Sequence, residues 1–542
     1  MTTLKETKLL DSATITEDDI ATAATLFGLE YSDAELALML AGINDLPNRY
    51  EELRALPLEN ALSPALLFDP GESIRLSERP GIYPATSAKP PTGCPDNIEE
   101  MAFYTVEQLG HFLHTQQVTS VALTEMYLSR LKTYGPKLEC VITLTEELAL
   151  QQAKRADAEI KEGKIRSPLH GIPWGAKDLL ATKGYPTTWG ATPFKNQLID
   201  EDAAVVRKLE DAGAVLVAKL TMGALAWGDV WFGGKTRSPW NIKEGSSGSS
   251  AGSGSATAAG LVGFAIGTET FGSIVSPSTN CGLSGLRPTF GRVSRAGAMA
   301  LCWSLDKIGP MCRSVGDCGL VFDAIRGTAQ AVDRADPSTV SRSFRWPVEA
   351  DLSQLRIGYL ADDFAGEYEF KEQDAQSLAQ LRYLGAKLVP VQLPAFPLEA
   401  MLIILWVEAA TAFDELTRSG QDDLLVRQVE DAWPNRLRVA RQIPAVEYLQ
   451  ANRIRTLVSQ AMNGLMSEVD VYIAPSRGQN LLLTNLTGHP TVCIPNGFRE
   501  NGLPTSISIT GQLYDESTVL AAAKALQDAT EFHTLRPNLK SN

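Results

Sequence analysis

The chain has 542 residues, 44% hydrophobic and 21% charged, with a formal net charge of −15 and a sequence pI near 5.0. That length can bury one large core with extensions, and the acidic balance argues against nucleic acid as the main partner. The most apolar run, residues 401–407, is far too short to cross a membrane, so no membrane partner is expected.

In chain order, Thr16-Glu17-Asp18-Asp19 starts a helix with an acidic first turn. Ser32-Asp33-Ala34-Glu35 is a capping box that opens a second helix, with Leu36, Met39, Leu40 and Ile43 on one face. Two short helices cannot bury such a stripe alone, so it calls for docking on the rest of the chain or for a homodimer arm. Residues 80–94, rich in Pro, Thr and Ser, read as an extended tether. Residues 1–97 are thus an extension and tether, and 98–542 the main domain.

Segments 119–133 and 146–161 read as amphipathic helices, 205–212 as a helix and 215–219 as a buried strand. A Gly/Ser-rich tract follows from Gly245. Such a run alone would be a linker, but it passes into an Ala-rich helix at 255–263 and a short buried strand or turn at 264–268. Further strands fall at 355–360, 471–474, 491–495 and 506–510, with a late helix at 517–529. This alternation predicts an α/β/α sandwich. Seven scattered cysteines without a CxxC pair read as reduced thiols, and Lys5 and Lys8 lead into no apolar signal segment, so a cytoplasmic protein is expected. The five histidines show no metal-ligand spacing, and no metal or cofactor is expected.

Three blocks carry chemistry. Residues 247–253 read Ser-Gly-Ser-Ser-Ala-Gly-Ser, residues 267–277 read Gly-Thr-Glu-Thr-Phe-Gly-Ser-Ile-Val-Ser-Pro, and Lys177 stands upstream in Gly-Ile-Pro-Trp-Gly-Ala-Lys-Asp. A lone lysine is normally a solvated charge. Lys177 instead keeps company with Ile172, Pro173, Trp174, Ala176, Leu179 and Leu180. These blocks, with GLRPTFGRVSRAG and SLDKIGPMCRSVGD downstream, resemble the amidase signature family. The likeness runs over residues 104–532, is strongest over 167–317 and is weakest over 329–466, a stretch expected to shape specificity.

The resemblance implies a large mixed β-sheet, with Ser273 as nucleophile, Ser249 as relay and Lys177 as base. It implies a cis peptide bond at Gly248–Ser249, and an oxyanion hole from the backbone amides of Thr270, Phe271, Gly272 and Ser273. Gly248, Ser250 and Glu269 would support them. A seryl hydroxyl needs a base to take its proton. A lysine base must be neutral, which asks for a depression of roughly three units from about 10.4, and burial supplies such shifts. Lys177 Nζ should therefore reach Ser249 Oγ, and Ser249 Oγ should reach Ser273 Oγ.

Two departures stand out. Glu269 and Val275 replace the family's Asp and Arg, so Glu269 needs another cation. Phe271 replaces a small residue and either narrows the pocket or is a core aromatic. Residues 15–46 are similar to the small helical C subunit of the tRNA-dependent amidotransferase. The implied function is hydrolysis of a C–N bond, with Phe271 and the apolar 400s favouring a bulky hydrophobic or aryl amide, through an acyl-enzyme. Carbamates and esters are open to the same chemistry, and the partner is a small-molecule amide or carbamate.

Other readings remain. An amidotransferase A-like subunit would act only in a complex. Gly248-Ser249-Ser250-Ala251-Gly252 also matches the G-x-S-x-G elbow of α/β-hydrolases, with Ser250 as nucleophile and His489 or His533 as base. The polar WNIKEGSS before it lacks the buried strand an elbow needs. Ser304-Leu305-Asp306-Lys307 matches S-x-x-K, but its companion motifs are missing, and it reads as coincidence.

Overall fold

The computed structural model describes residues 14–56, 58–62, 64–71, 80–85, 93–327 and 335–539. Lys5 and Lys8, residues 86–92 of the expected tether and 329–334 of the expected specificity region lie outside these. The chain divides into two compact units, Met1–Leu62 and Ser63–Asn542.

The first unit is a helical pair. Helix α1 (Glu17–Leu26) starts on Thr16, which caps it with Asp19, and α2 (Asp33–Arg54) starts where the Ser32 N–H donates to Glu35 over 2.7 Å. Asn44 on α2 exchanges two hydrogen bonds with the backbone of Ile15, at 2.9 and 3.0 Å. Leu36 is buried, and Met39, Leu40 and Ile43 are half-buried.

The division lies upstream of residue 97, because the second unit already begins at Ser63. Phe68 packs edge-on against Phe290, with ring centroids 5.3 Å apart. Ile82–Pro84 forms an antiparallel pair with Val348–Ala350.

The second unit is an α/β/α sandwich around an 11-stranded mixed sheet. Its strands are β1 (Val141–Leu144), β2 (Pro173–Lys177), β3 (Val215–Leu220), β4 (Phe264–Glu269), β5 (Ser284–Arg287), β6 (Lys307–Cys312), β7 (Ile357–Leu360), β8 (Leu388–Val391), β9 (Val471–Pro475), β10 (Thr491–Phe498) and β11 (Pro504–Gly511). The order is β8-β7-β9-β11-β10-β5-β6-β4-β2-β3-β1. Parallel groups, β8-β7-β9 and β4-β2-β3, flank an antiparallel centre. Strands β2, β3, β4 and β6 are buried along their whole length, which explains their small or branched apolar residues.

The Gly/Ser tract differs from expectation. Helix α3 (Ala251–Ala258) begins four residues before the expected start at 255, and 259–263 is a turn. All 8 residues of α3 are buried. A Cβ on Gly252 would lie 2.4 Å from the Thr221 amide nitrogen. The glycines permit close backbone approach; they do not confer looseness. Helix α4 (Val275–Cys281) follows the second motif. The apolar 400s form α5 (Ile403–Ala412), and α6 (Ala445–Glu468) and α7 (Gln479–Thr487) complete the elements around the site. No described helix is long and apolar enough to cross a membrane.

Candidate active site

Strands β2 and β4 run parallel, and their carboxyl ends bring Lys177 beside Thr268. Such ends are where open α/β sheets present their ligand-binding loops. Lys177 is wholly buried. Its Nζ donates to Ser249 Oγ at 2.8 Å, Ser250 Oγ at 3.0 Å and Thr268 Oγ1 at 2.8 Å. Burial pulls its pKa down to about 7, against the opposing pull of Asp306 and Glu269. The neighbouring Asp178 pairs with Lys219 Nζ on β3 at 2.9 Å and accepts from the Thr188 N–H at 2.8 Å, which anchors the end of β2.

The Gly248–Ser249 peptide bond is cis, as expected. A Cβ on Gly248 would stand 1.8 Å from the Gly228 carbonyl oxygen, so only glycine fits. The Ser249 carbonyl accepts from the Gly223 N–H at 3.3 Å. Ser250 Oγ donates to the Thr268 carbonyl and accepts from the Thr268 N–H, each at 3.1 Å. The Ser250 N–H reaches the Ser273 carbonyl at 3.3 Å, tying the two serine loops together. Ser249 and Ser273 are 1% and 7% exposed. The Ser273 side chain makes no hydrogen bond among the described residues, so the expected Ser249 Oγ–Ser273 Oγ contact is not a hydrogen bond in this conformation. Such contacts are commonly looser without substrate.

Glu269 does find another cation. Its Oε1 accepts from Arg287 Nη1 at 2.8 Å and Asn485 Nδ2 at 2.9 Å. Its Oε2 accepts from the N–H groups of Ile274 at 2.8 Å and Val275 at 2.9 Å. Burial pushes its pKa up, but Arg287 and the backbone donors outweigh that and hold it below the usual glutamate value. Arg287 on β5 thus supplies from the sheet the charge that Val275 lacks. Between Glu269 and α4, Gly272 takes φ +83°, a left-handed conformation suited to glycine. The N–H groups of Phe271, Gly272 and Ser273 donate to no acceptor among the described residues, and Thr270 precedes them. Phe271 is 38% exposed, so it is a surface aromatic beside Ser273 and not a core one.

The elbow reading loses its base. Ser250 is engaged by Lys177 and Thr268, whereas the His489 ring bonds Thr487 at 2.8 Å and burial drives its pKa to about 3. His533 sits on the Phe532–Thr534 turn, and neither ring bonds Ser250 among the described residues. A short strand, Asn241–Gly245, does precede the turn, but it is half-exposed and pairs only with Arg237–Ser238. In the S-x-x-K match, Ser304 Oγ donates to Glu408 at 2.6 Å and Lys307 Nζ donates to the Leu305 carbonyl, so the two do not act together.

Sequence reasoning missed a small aromatic crevice with about 20 Å³ of free space. Trp227 and Trp433 meet edge to face, with ring centroids 5.0 Å apart, and line it with Ala224, Val230, Leu425 and Pro434. Arg427 lies 5.8 Å over the Trp227 ring. Trp227 immediately precedes Gly228, whose carbonyl abuts Gly248. Leu225 and Ala226 hold positive φ of 50° and 62°, an uncommon conformation for side-chain-bearing residues. The loop's small and aromatic residues are visible in the sequence, but its partner lies far along the chain.

Fold and site define a class: an α/β/α protein that brings a buried lysine and two seryl hydroxyls to one strand edge, without histidine. A family model described as Amidase matches residues 122–482, and the chain belongs to this family, the amidase signature enzymes. It is 33% identical over 487 residues to the A subunit of the glutamyl-tRNA(Gln) amidotransferase of Chloroflexus aggregans, covering 82% of this chain and 99% of the relative. Its fold is similar to the native peptide amidase from Stenotrophomonas maltophilia, with a TM-score of 0.70 and 28% identity, covering 82% and 100% of the two chains. It is also similar, at TM-score 0.70 and 27% identity, to a chain from a vestigial protein complex related to an s-triazine catabolic enzyme, covering 80% and 100%.

Proposed function

We propose that the protein hydrolyses the C–N bond of a bulky hydrophobic or aryl amide through an acyl-enzyme, in the cytoplasm. The carrying observation is the buried Lys177, poised near neutrality 2.8 Å from Ser249. Ser273 Oγ attacks the carbonyl carbon as its proton passes through Ser249 to Lys177. The tetrahedral oxyanion meets the unengaged amides of the 270–273 loop, donors worth about 3 kcal/mol each. The C–N bond then breaks, and the leaving nitrogen takes the proton back along the same relay. Water attacks the resulting ester by the reverse path and frees Ser273. Carbamates and esters follow the same route. The exposed Phe271, two residues from Ser273, supports an aromatic or bulky apolar substrate.

A second reading is an amidotransferase A-like subunit, favoured by the 33% identity over most of the chain. Purified alone, the chain should cleave chromogenic anilides and take up a fluorophosphonate at Ser273, and Ser273→Ala should do neither. Activity only with added partner proteins would establish the subunit reading. Labelling at Ser250 would overturn the triad.

A further inference from the structure

The register of β4 and β6 continues beyond the strands. Lys307 lies opposite Glu269, so the next outward pair is Asp306 opposite Thr270, and directly opposed residues share a face. Thr270 Oγ1 donates to Asp306 Oδ1 at 2.6 Å. The other Asp306 oxygen accepts from the N–H groups of Leu301 at 2.8 Å and Cys302 at 3.0 Å. Asp306 therefore staples the head of the 270–273 loop to the 301–306 loop.

The same carboxylate also bears on Lys177 through space, from beyond the 4 Å of an ion pair. The two anions acting on Lys177 are Asp306 and Glu269. Glu269 is already matched by Arg287 at 2.8 Å. Asp306 has no ion-pair partner within 4 Å among the described residues. We propose that Asp306 is a positioning residue for the reaction: it fixes Thr270, and with it the amides that follow, and it stands as the counter-charge to Lys177. This rests on the reading of Ser273 as nucleophile and Lys177 as base.

The charged and titrating groups around this pair come from several elements. Lys177 projects from β2, Lys307 adjoins Asp306 on β6, and Arg295 and Cys302 lie on the preceding loop. Glu269, Arg287, Arg455 and Glu408 complete the surroundings. Lys307 is also buried, and burial, with Arg287 second, lowers its pKa to about 7. Burial raises the Asp306 pKa against the pull of its Thr270, Cys302 and Leu301 donors, and in its anionic form it favours protonated Lys177. Removing that charge therefore lets Lys177 give up its proton at lower pH, even as the loosened loop slows the chemistry.

The test follows the rate of Ser273 labelling by a fluorophosphonate against pH, on the full chain, and needs no known substrate. Asp306→Asn should slow labelling about tenfold through lost alignment, while the acid limb of the profile moves to lower pH. Thr270→Val should slow it comparably with the limb unmoved, and Thr270→Ser, which keeps the hydroxyl, should return to near the wild-type rate. A limb unchanged in Asp306→Asn, or Thr270→Val labelling at the wild-type rate, overturns the proposal while Ser273 stays the labelled residue. Wild-type labelling at another residue overturns both this proposal and the reading beneath it. If Asp306→Asn does not fold, the Thr270 pair decides: slow Val with restored Ser supports the staple, and equal rates remove it.

Discussion

Residues 245–282 and residues 403–440 are built from different material. The first is Gly, Ser and Ala pressed against backbone. A Cβ at Gly248 would meet a carbonyl at 1.8 Å, and one at Gly267 would meet Met311 Sδ at 2.7 Å. The second is built of bulky side chains on helices: Ile404, Leu405, Phe413, Trp433 and Leu437 are buried there. In the first region position is set by the absence of atoms, so its residues fix where protons move. In the second, shape is set by side-chain volume, which can change without moving the backbone. Catalysis should fail abruptly on one side and drift in selectivity on the other.

The sharpest break is at Lys177. Lys177→Met should lower amide turnover by about a thousandfold or more, as losing a general base and acid does. Activated esters should suffer less, because a good alcohol leaving group needs no proton. In the wild type, kcat/KM should rise from acid pH with an apparent pKa near 7, since only the neutral amine accepts the proton. Equal losses on matched amide and ester substrates would remove lysine from the relay.

Next comes the brace behind the 270–273 loop. Arg287→Met leaves Glu269 buried without its cation and should cost about 3–5 kcal/mol of stability, read by denaturant unfolding. Adding Glu269→Gln should recover much of that loss, because the buried charge is then gone. A double variant as unstable as the single one would show that Arg287 acts through its packing.

The smallest effect is expected across the boundary. Trp433→Leu should raise KM for bulky anilides several-fold, about 1 kcal/mol for a lost aromatic contact, and leave small amides nearly as they were. A uniform fall in kcat for both substrates would place Trp433 in support of the chemistry.

The candidates Lys177, Ser249 and Ser273 are legible because their signals are local runs of unusual composition, and the buried strands are legible because they are continuous apolar runs. Other features stay hidden for physical reasons. The start of α3 is obscured because a glycine used for close approach looks like a glycine used for looseness. The 24 residues of α6 escape the helical pattern because its buried positions, Ala451, Arg455, Val458, Met462 and Met466, include a charge. Arg455 is buried there with its charge satisfied: Nε donates to the Leu486 carbonyl at 2.6 Å, Nη1 to Ser304 Oγ at 2.9 Å and Nη2 to the Ser304 carbonyl at 2.8 Å. The partner of Glu269 and the meeting of Trp227 with Trp433 depend on topology, which no local window contains.

The two buried lysines also make the molecule a proton sink when it opens. Lys177 and Lys307 have their pKa values lowered from 10.5 to about 7 in the folded chain. Between those limits the unfolded chain binds the protons that the folded chain has released, so unfolding draws protons from the buffer. Each depression corresponds to about 4–5 kcal/mol withheld from stability at neutral pH. That penalty is absent above about 10.5, grows as pH falls, and is fully present once pH drops below 7. Through these two groups stability rises with pH, as the Lys177 amine is freed of its proton.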